Sequence, residues 1–116
     1  MTCFWDGLRR ELNLNISNED FITLLKNNNK KHTSILWNNT ELTNKQMEEN
    51  FQHIMDYNIN TIHNGYDCSV CDPFIILICQ IYNVNITHTY NGYIMTYFID
   101  HNAHNLSFRS DMGHFY

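Results

Sequence analysis

Proline occurs once and glycine four times in these 116 residues. No proline- or glycine-rich linker and no internal repeat divides the chain, so it reads as a single domain, 1–116. Basic residues are also few, seven against twelve acidic ones, for a net charge of −5 with the histidines neutral. Beyond Arg9-Arg10 and Lys30-Lys31 there is no basic cluster, which argues against a phosphate-backbone footprint and therefore against a nucleic-acid partner. No window of ~18 apolar residues exists, and the N-terminus lacks a charged region followed by an apolar one, so neither a membrane span nor a secretory signal is expected. The expected location is cytoplasmic. There the four cysteines, Cys3, Cys68, Cys71 and Cys79, stay reduced. What the chain does have is 43% hydrophobic and 14% aromatic residues, too many for a disordered tail and enough for one modest core.

Helical signals fill the first two thirds. Thr2 is a fair N-cap ahead of Phe4, Leu8 and Leu12, which recur at helical spacing with Trp5 beside them. Ser17 caps a second helix, with Asp20 at the third position and Phe21, Leu24 and Leu25 as its apolar stripe. The run Asn27 to Lys31 ends it as a solvated loop. Ser34-Ile35-Leu36-Trp37 is an apolar patch of undecided state. Thr43 with Gln46 forms a capping box for a third helix, whose Met47, Phe51, Ile54 and Met55 are expected in the core. Asp72-Pro73 gives the clearest helix start, and the segment it opens, Phe74 to Tyr82, is apolar nearly all round. That helix should be the most buried. The period then changes to two. Val84, Ile86 and His88 alternate with Asn85 and Thr87, Asn91-Gly92 is a turn signal, and Tyr93 to Ile99, Leu106 to Phe108 and His114 to Tyr116 supply further strands. The fold class is α+β, with N-terminal helices packed on a small, mainly antiparallel C-terminal sheet of three to four strands.

Two constellations carry chemistry. Cys3 sits at a helix start, where unpaired amides favour a thiolate, and Asp6 places a carboxylate in the same turn. With His114 late in the chain it could form a thiol hydrolase pair, in which the thiolate attacks and the imidazole serves the leaving group. The bland alternative is a small cysteine that packs. The other constellation is Cys68-Ser69-Val70-Cys71, for which His53, His63 and His88 could complete a zinc site. Redox chemistry and a loop packed under the helix start at Pro73 compete with that reading. His32, His101 and His104 read as exposed loop residues.

Cys3-Phe4-Trp5-Asp6-Gly7-Leu8, then Gly65-Tyr66-Asp67, Asp72 before an apolar helix, the helix-to-strand passage Ile81 to Ile86 and the terminal Gly113-His114-Phe115-Tyr116 come in an order that resembles the ovarian-tumour (OTU) cysteine proteases. The size and the Asn/Ile bias resemble a protein of a large DNA virus. The resemblance spans the chain and implies a papain-like, OTU-like fold. It also implies a deubiquitinase that uses Cys3 as nucleophile and His114 as general base, without metal or cofactor. Its partners would be ubiquitin or ubiquitin-like conjugates in the host cytoplasm. Two positions depart from the family pattern. Only Met1 and Thr2 precede Cys3, where the family has a loop whose Asp helps build the oxyanion hole. Tyr116 holds the position two after the histidine, where an acid or amide is usual. The third catalytic group is therefore open between Asp111, the Tyr116 α-carboxylate and a bare Cys-His dyad; Asp100 and Asn102 are further possible orienters, and none of these three side chains is matched to the motif. The alternative function is an OTU-like module that binds ubiquitin or a host protein without cutting.

Overall fold

The computed structural model describes residues 3–64, 73–111 and 114–115. Helix α1 runs Cys3–Glu11 and buries Phe4, Trp5 and Leu8, the i, i+1, i+4 set expected from its spacing. It stops because Asn13 takes a left-handed conformation at φ 57°, with Asn13 N–H donating to Arg10 O at 3.1 Å and Leu14 N–H to Arg9 O at 2.9 Å. That is a Schellman ending with asparagine in the glycine position. Helix α2, Asn18–Asn27, starts at Ser17, whose Oγ accepts from Asp20 N–H at 3.0 Å. The two helices are tied by a polar cluster. Asp6 Oδ1 accepts from Arg9 Nη2 at 3.0 Å and from Asn18 Nδ2 at 2.9 Å, and Arg9 Nε donates to Asn18 Oδ1 at 2.6 Å.

The undecided patch is strand β1, Leu36–Trp37, which pairs with β2, Thr40–Glu41. Asn38 and Asn39 between them both have positive φ, 50° and 64°. This is the geometry of a two-residue hairpin turn, which asparagine tolerates well. Helix α3, Asn44–Asp56, begins with the expected capping box. Gln46 N–H donates to Thr43 Oγ1 at 3.1 Å and Thr43 N–H to Gln46 Oε1 at 2.8 Å. Its core stripe is narrower than expected. Ile54 is buried, Met47 and Phe51 are half-buried, and Met55 is 48% exposed. The reason is position: α3 packs on helix α4, so only a thin seam of it meets the interior. A 3-10 helix, Ile59–Asn64, follows.

Helix α4, Pro73–Tyr82, is the centre of the molecule, with Phe74 to Cys79 all buried and α2, α3 and the sheet packed around it. Its expected cap, Asp72, lies outside the described residues. A single residue, Asn83 at φ 54°, reverses the chain from α4 into β3, Val84–Tyr90. Strand β4, Tyr93–Phe98, returns antiparallel through Asn91 (φ 48°) and Gly92 (φ 86°), the turn that the Asn-Gly pair signals. Strand β5, His104–Asp111, then lies parallel to β3, and β6, His114–Phe115, pairs antiparallel with β5.

The sheet has six strands in the order β2-β1-β4-β3-β5-β6, against an expectation of three to four. Four come from the C-terminal third, and the two-residue strands of the 36–41 hairpin extend it along β4. The class is α+β and the pairing mainly antiparallel, as expected, with β3–β5 the parallel exception. One face is buried through Ile86, His88, Met95, Tyr97, Leu106 and Phe108, while Thr87, Thr96, Ser107 and Arg109 alternate onto the open face. Asn85 breaks the alternation. It is buried because its side chain holds the β4–β5 connection, accepting from Ile99 N–H at 2.7 Å and donating to Asp100 O at 2.8 Å.

Candidate active site

The aromatics after Cys3 fix the helix that starts with it. Trp5 is 1% exposed and meets Phe4, Phe74 and Phe21 edge-on, with ring centroids 4.8, 5.0 and 6.0 Å away. Cys3 is thus the first residue of a helix anchored one turn in. The expected N-cap, Thr2, lies outside the described residues. Asp6, read as a first-turn carboxylate, is engaged by Arg9 of its own helix and by Asn18 of α2.

Helix α1 lies against β6, the strand that carries His114. The first helix and the last strand are therefore neighbours, although almost the whole chain separates them. In the β5–β6 ladder Asp111 is the register partner of His114, and Ser110 that of Phe115. Directly paired residues in such a ladder have Cα atoms about 4.5–5.5 Å apart. The fold thus brings together the backbones of His114 and Asp111 and the helix of Cys3. Asp100 is spent locally, its Oδ1 accepting from Asn102 N–H at 3.3 Å in the β4–β5 connection. Tyr116 lies outside the described residues.

The remaining histidines and cysteines sort by burial. Cys79 is fully buried in α4, and desolvation pushes its thiol far above the ordinary range, so it is a packing residue and not a nucleophile. Cys68 and Cys71 lie outside the described residues. Among the described residues no group of three or more His, Cys, Asp or Glu side chains stands close enough to hold a metal. His32 and His101 are exposed loop residues, as expected; His104 is exposed too, but as the first residue of β5 and not in a loop, and His53 is exposed on α3.

His88 is the residue that the sequence placed least well. Considered as a zinc ligand, it is instead fully buried on β3 and hydrogen-bonded to Ser110 Oγ on β5. That bond pins the strand immediately before Asp111. Its signal in the sequence was the alternation Val84, Ile86, His88, which puts the imidazole on the core face. Burial holds the His88 pKa below its ordinary value of 6.5. The unfolded chain therefore takes up this proton near pH 6.5 and the folded one only at lower pH. The contribution is complete above pH 6.5 and is lost as pH falls from there through the folded-state pKa. Urea melts from pH 7.5 to 5 should show stability falling by up to about 1.4 kcal/mol per pH unit in the lower part of that range. The His88→Gln variant should show a shallower slope, and equal slopes would remove His88 as the cause.

No helix among the described residues is long and apolar enough to cross a membrane. In comparison with known proteins, no family model, no curated protein and no solved structure matches the chain.

Proposed function

We propose that this chain is a compact OTU-like cysteine hydrolase that cleaves isopeptide or peptide bonds after ubiquitin or a ubiquitin-like modifier, in the cytoplasm. The observation that carries the reading is the packing of α1 on β6, which joins the Cys3 helix to the His114 strand. The Asp111–His114 register supports Asp111 as the third group.

In this mechanism the Cys3 thiolate, favoured by the amide dipoles of the helix start, attacks the carbonyl carbon of the modifier's last residue. The tetrahedral intermediate collapses as the His114 imidazolium protonates the departing lysine amine, leaving a thioester on Cys3. His114, now neutral, takes a proton from water as the hydroxyl adds to the thioester carbonyl. The modifier leaves with a free carboxylate, and the thiolate–imidazolium pair is restored. Asp111 holds the imidazole in one orientation and stabilises its charged form.

A ubiquitin whose C-terminus carries a vinyl methyl ester reacts only with an activated thiol placed in a modifier-binding channel. The parent protein should form a one-to-one adduct, mapped to Cys3 by mass spectrometry, and Cys3→Ala should form none. Ubiquitin binding by a protein that forms no adduct would show a binding module instead of a hydrolase. An adduct on Cys68 or Cys71 would reject the site.

A further inference from the structure

The recess between α3 and α4 belongs to other elements than those that hold Cys3 and His114. Its floor is apolar, made by Leu42, Met47, Ile54, Ile76 and Leu77, and the hollow above it is open, about 270 Å³ with the solvent at its mouth included, with Lys30 and Lys31 at the rim. Both lysines are exposed, and neither makes an ion pair or side-chain hydrogen bond with a described residue.

Their loop is fastened on both sides. Asn28 Nδ2 donates to Leu24 O at 2.8 Å, Asn29 Nδ2 to Phe51 O at 3.0 Å and Gln80 Nε2 to His32 O at 3.1 Å. The stretch read as a solvated loop is exposed at Asn28, Lys30 and Lys31, and it also ties the end of α2 to α3 and α4. On a chain of net charge −5, two adjacent free ammonium groups over an apolar hollow run against the average field and select an anion. Asn50 adds a donor. It lines the recess, and its Nδ2 is buried without a hydrogen-bond partner, a state that favours the arrival of an acceptor. Its terminal torsion is soft enough to present that group to an occupant.

Enclosure decides between occupants. Sites for drug-sized molecules bury about 70–90% of the ligand's surface, whereas this hollow is shallow and open to solvent. It suits one bulky side chain of a longer chain, the way a single anchor fills a pocket at a protein interface. We propose that the α3–α4 recess docks an acidic segment of a partner protein, with one leucine or phenylalanine seated on Leu42, Ile54 and Leu77 and the flanking carboxylates on Lys30 and Lys31. The site is independent of the hydrolase reading and stands or falls separately from it.

The probe is the peptide acetyl-Asp-Glu-Leu-Asp-Asp-amide, titrated into ¹⁵N-labelled protein. Saturable shifts are expected at the amides of Leu42, Asn50, Leu77 and Gln80, weakening with added salt. Affinity should fall about tenfold, equal to 1.4 kcal/mol, in the Lys30→Glu/Lys31→Glu variant, whose melting curve should match the parent because both residues are exposed. Replacing the peptide's leucine by alanine should lose a similar factor. Equal binding of the alanine peptide would leave only non-specific charge attraction and overturn the proposal, as would an absence of saturable shifts at millimolar peptide. Tighter binding of octanoate than of the peptide at the same amides would assign the recess to a small-molecule acid and overturn it too.

Discussion

Asp111→Asn is expected to lower turnover of a ubiquitin–fluorophore amide by about 10²–10⁴-fold, the range observed when a histidine base loses its orienting carboxylate. The substitution keeps the shape and removes the charge. Asp111 is the register partner of His114 across β5–β6, so on the mechanism proposed above an asparagine there would no longer favour the charged imidazole or its productive tautomer. The competing candidate is the α-carboxylate of Tyr116, which a semisynthetic C-terminal amide neutralises without touching any side chain. Register favours Asp111. The amidated protein should therefore work at the parent rate, while Asp111→Asn should be slow across the pH range and His114→Ala inactive. Asp111→Asn at the parent rate, with the amide slow, would move the role to the chain end. Both at the parent rate would leave a bare dyad.

Trp5→Ala is expected to cost about 3–5 kcal/mol, the range for deleting a buried aromatic, and that is a large share of the about 5–15 kcal/mol that holds a domain folded. Trp5 is 1% exposed and joins Phe4, Phe21, Tyr57 and Phe74 in one aromatic cluster. No neighbour can fill the hole without moving α1 against α4. Labelling of Cys3 should weaken in step, because the helix that presents it loses its anchor. Trp37→Ala, at a half-buried position on the two-residue strand β1, should cost less. Equal costs in urea melts would mean that the cluster around Trp5 is not the keystone.

Much of this fold could be read from local chemistry. The Thr43–Gln46 box, the Ser17 cap and the Asn91-Gly92 turn are decided by a few adjacent atoms, so they look the same in sequence and in space. The α4 segment was legible because a helix without a polar face has only one place to go. What stayed hidden depends on distant partners. A two-residue strand has no period, so β1 and β2 left only the Asn38-Asn39 turn as a trace. Met55 continued the α3 stripe by spacing, but α3 packs chiefly on α4 and its outer positions remain wet. The parallel β3–β5 pairing, which sets β5 and β6 beyond β3, is written in no local pattern. Of the candidate site, the helix start at Cys3 and the strand at His114 were each readable. Their adjacency and the Asp111 register came only from the sheet order, and the His88–Ser110 bond only from the same parallel pairing.

The contact between α1 and β6 also governs how the protein is made. Closing a loop of nearly the full chain carries the largest entropic cost of any contact in the fold, growing with the logarithm of loop length, and such distant pairings form late. During folding α1 can bury Trp5 against Phe21 of α2 and Phe74 of α4 before β6 docks on it. A thiol at the start of α1 then has no imidazole strand beside it. The hydrolase proposed here would acquire its base only when that late pairing is made, so that a partly folded chain would not cut modifier bonds.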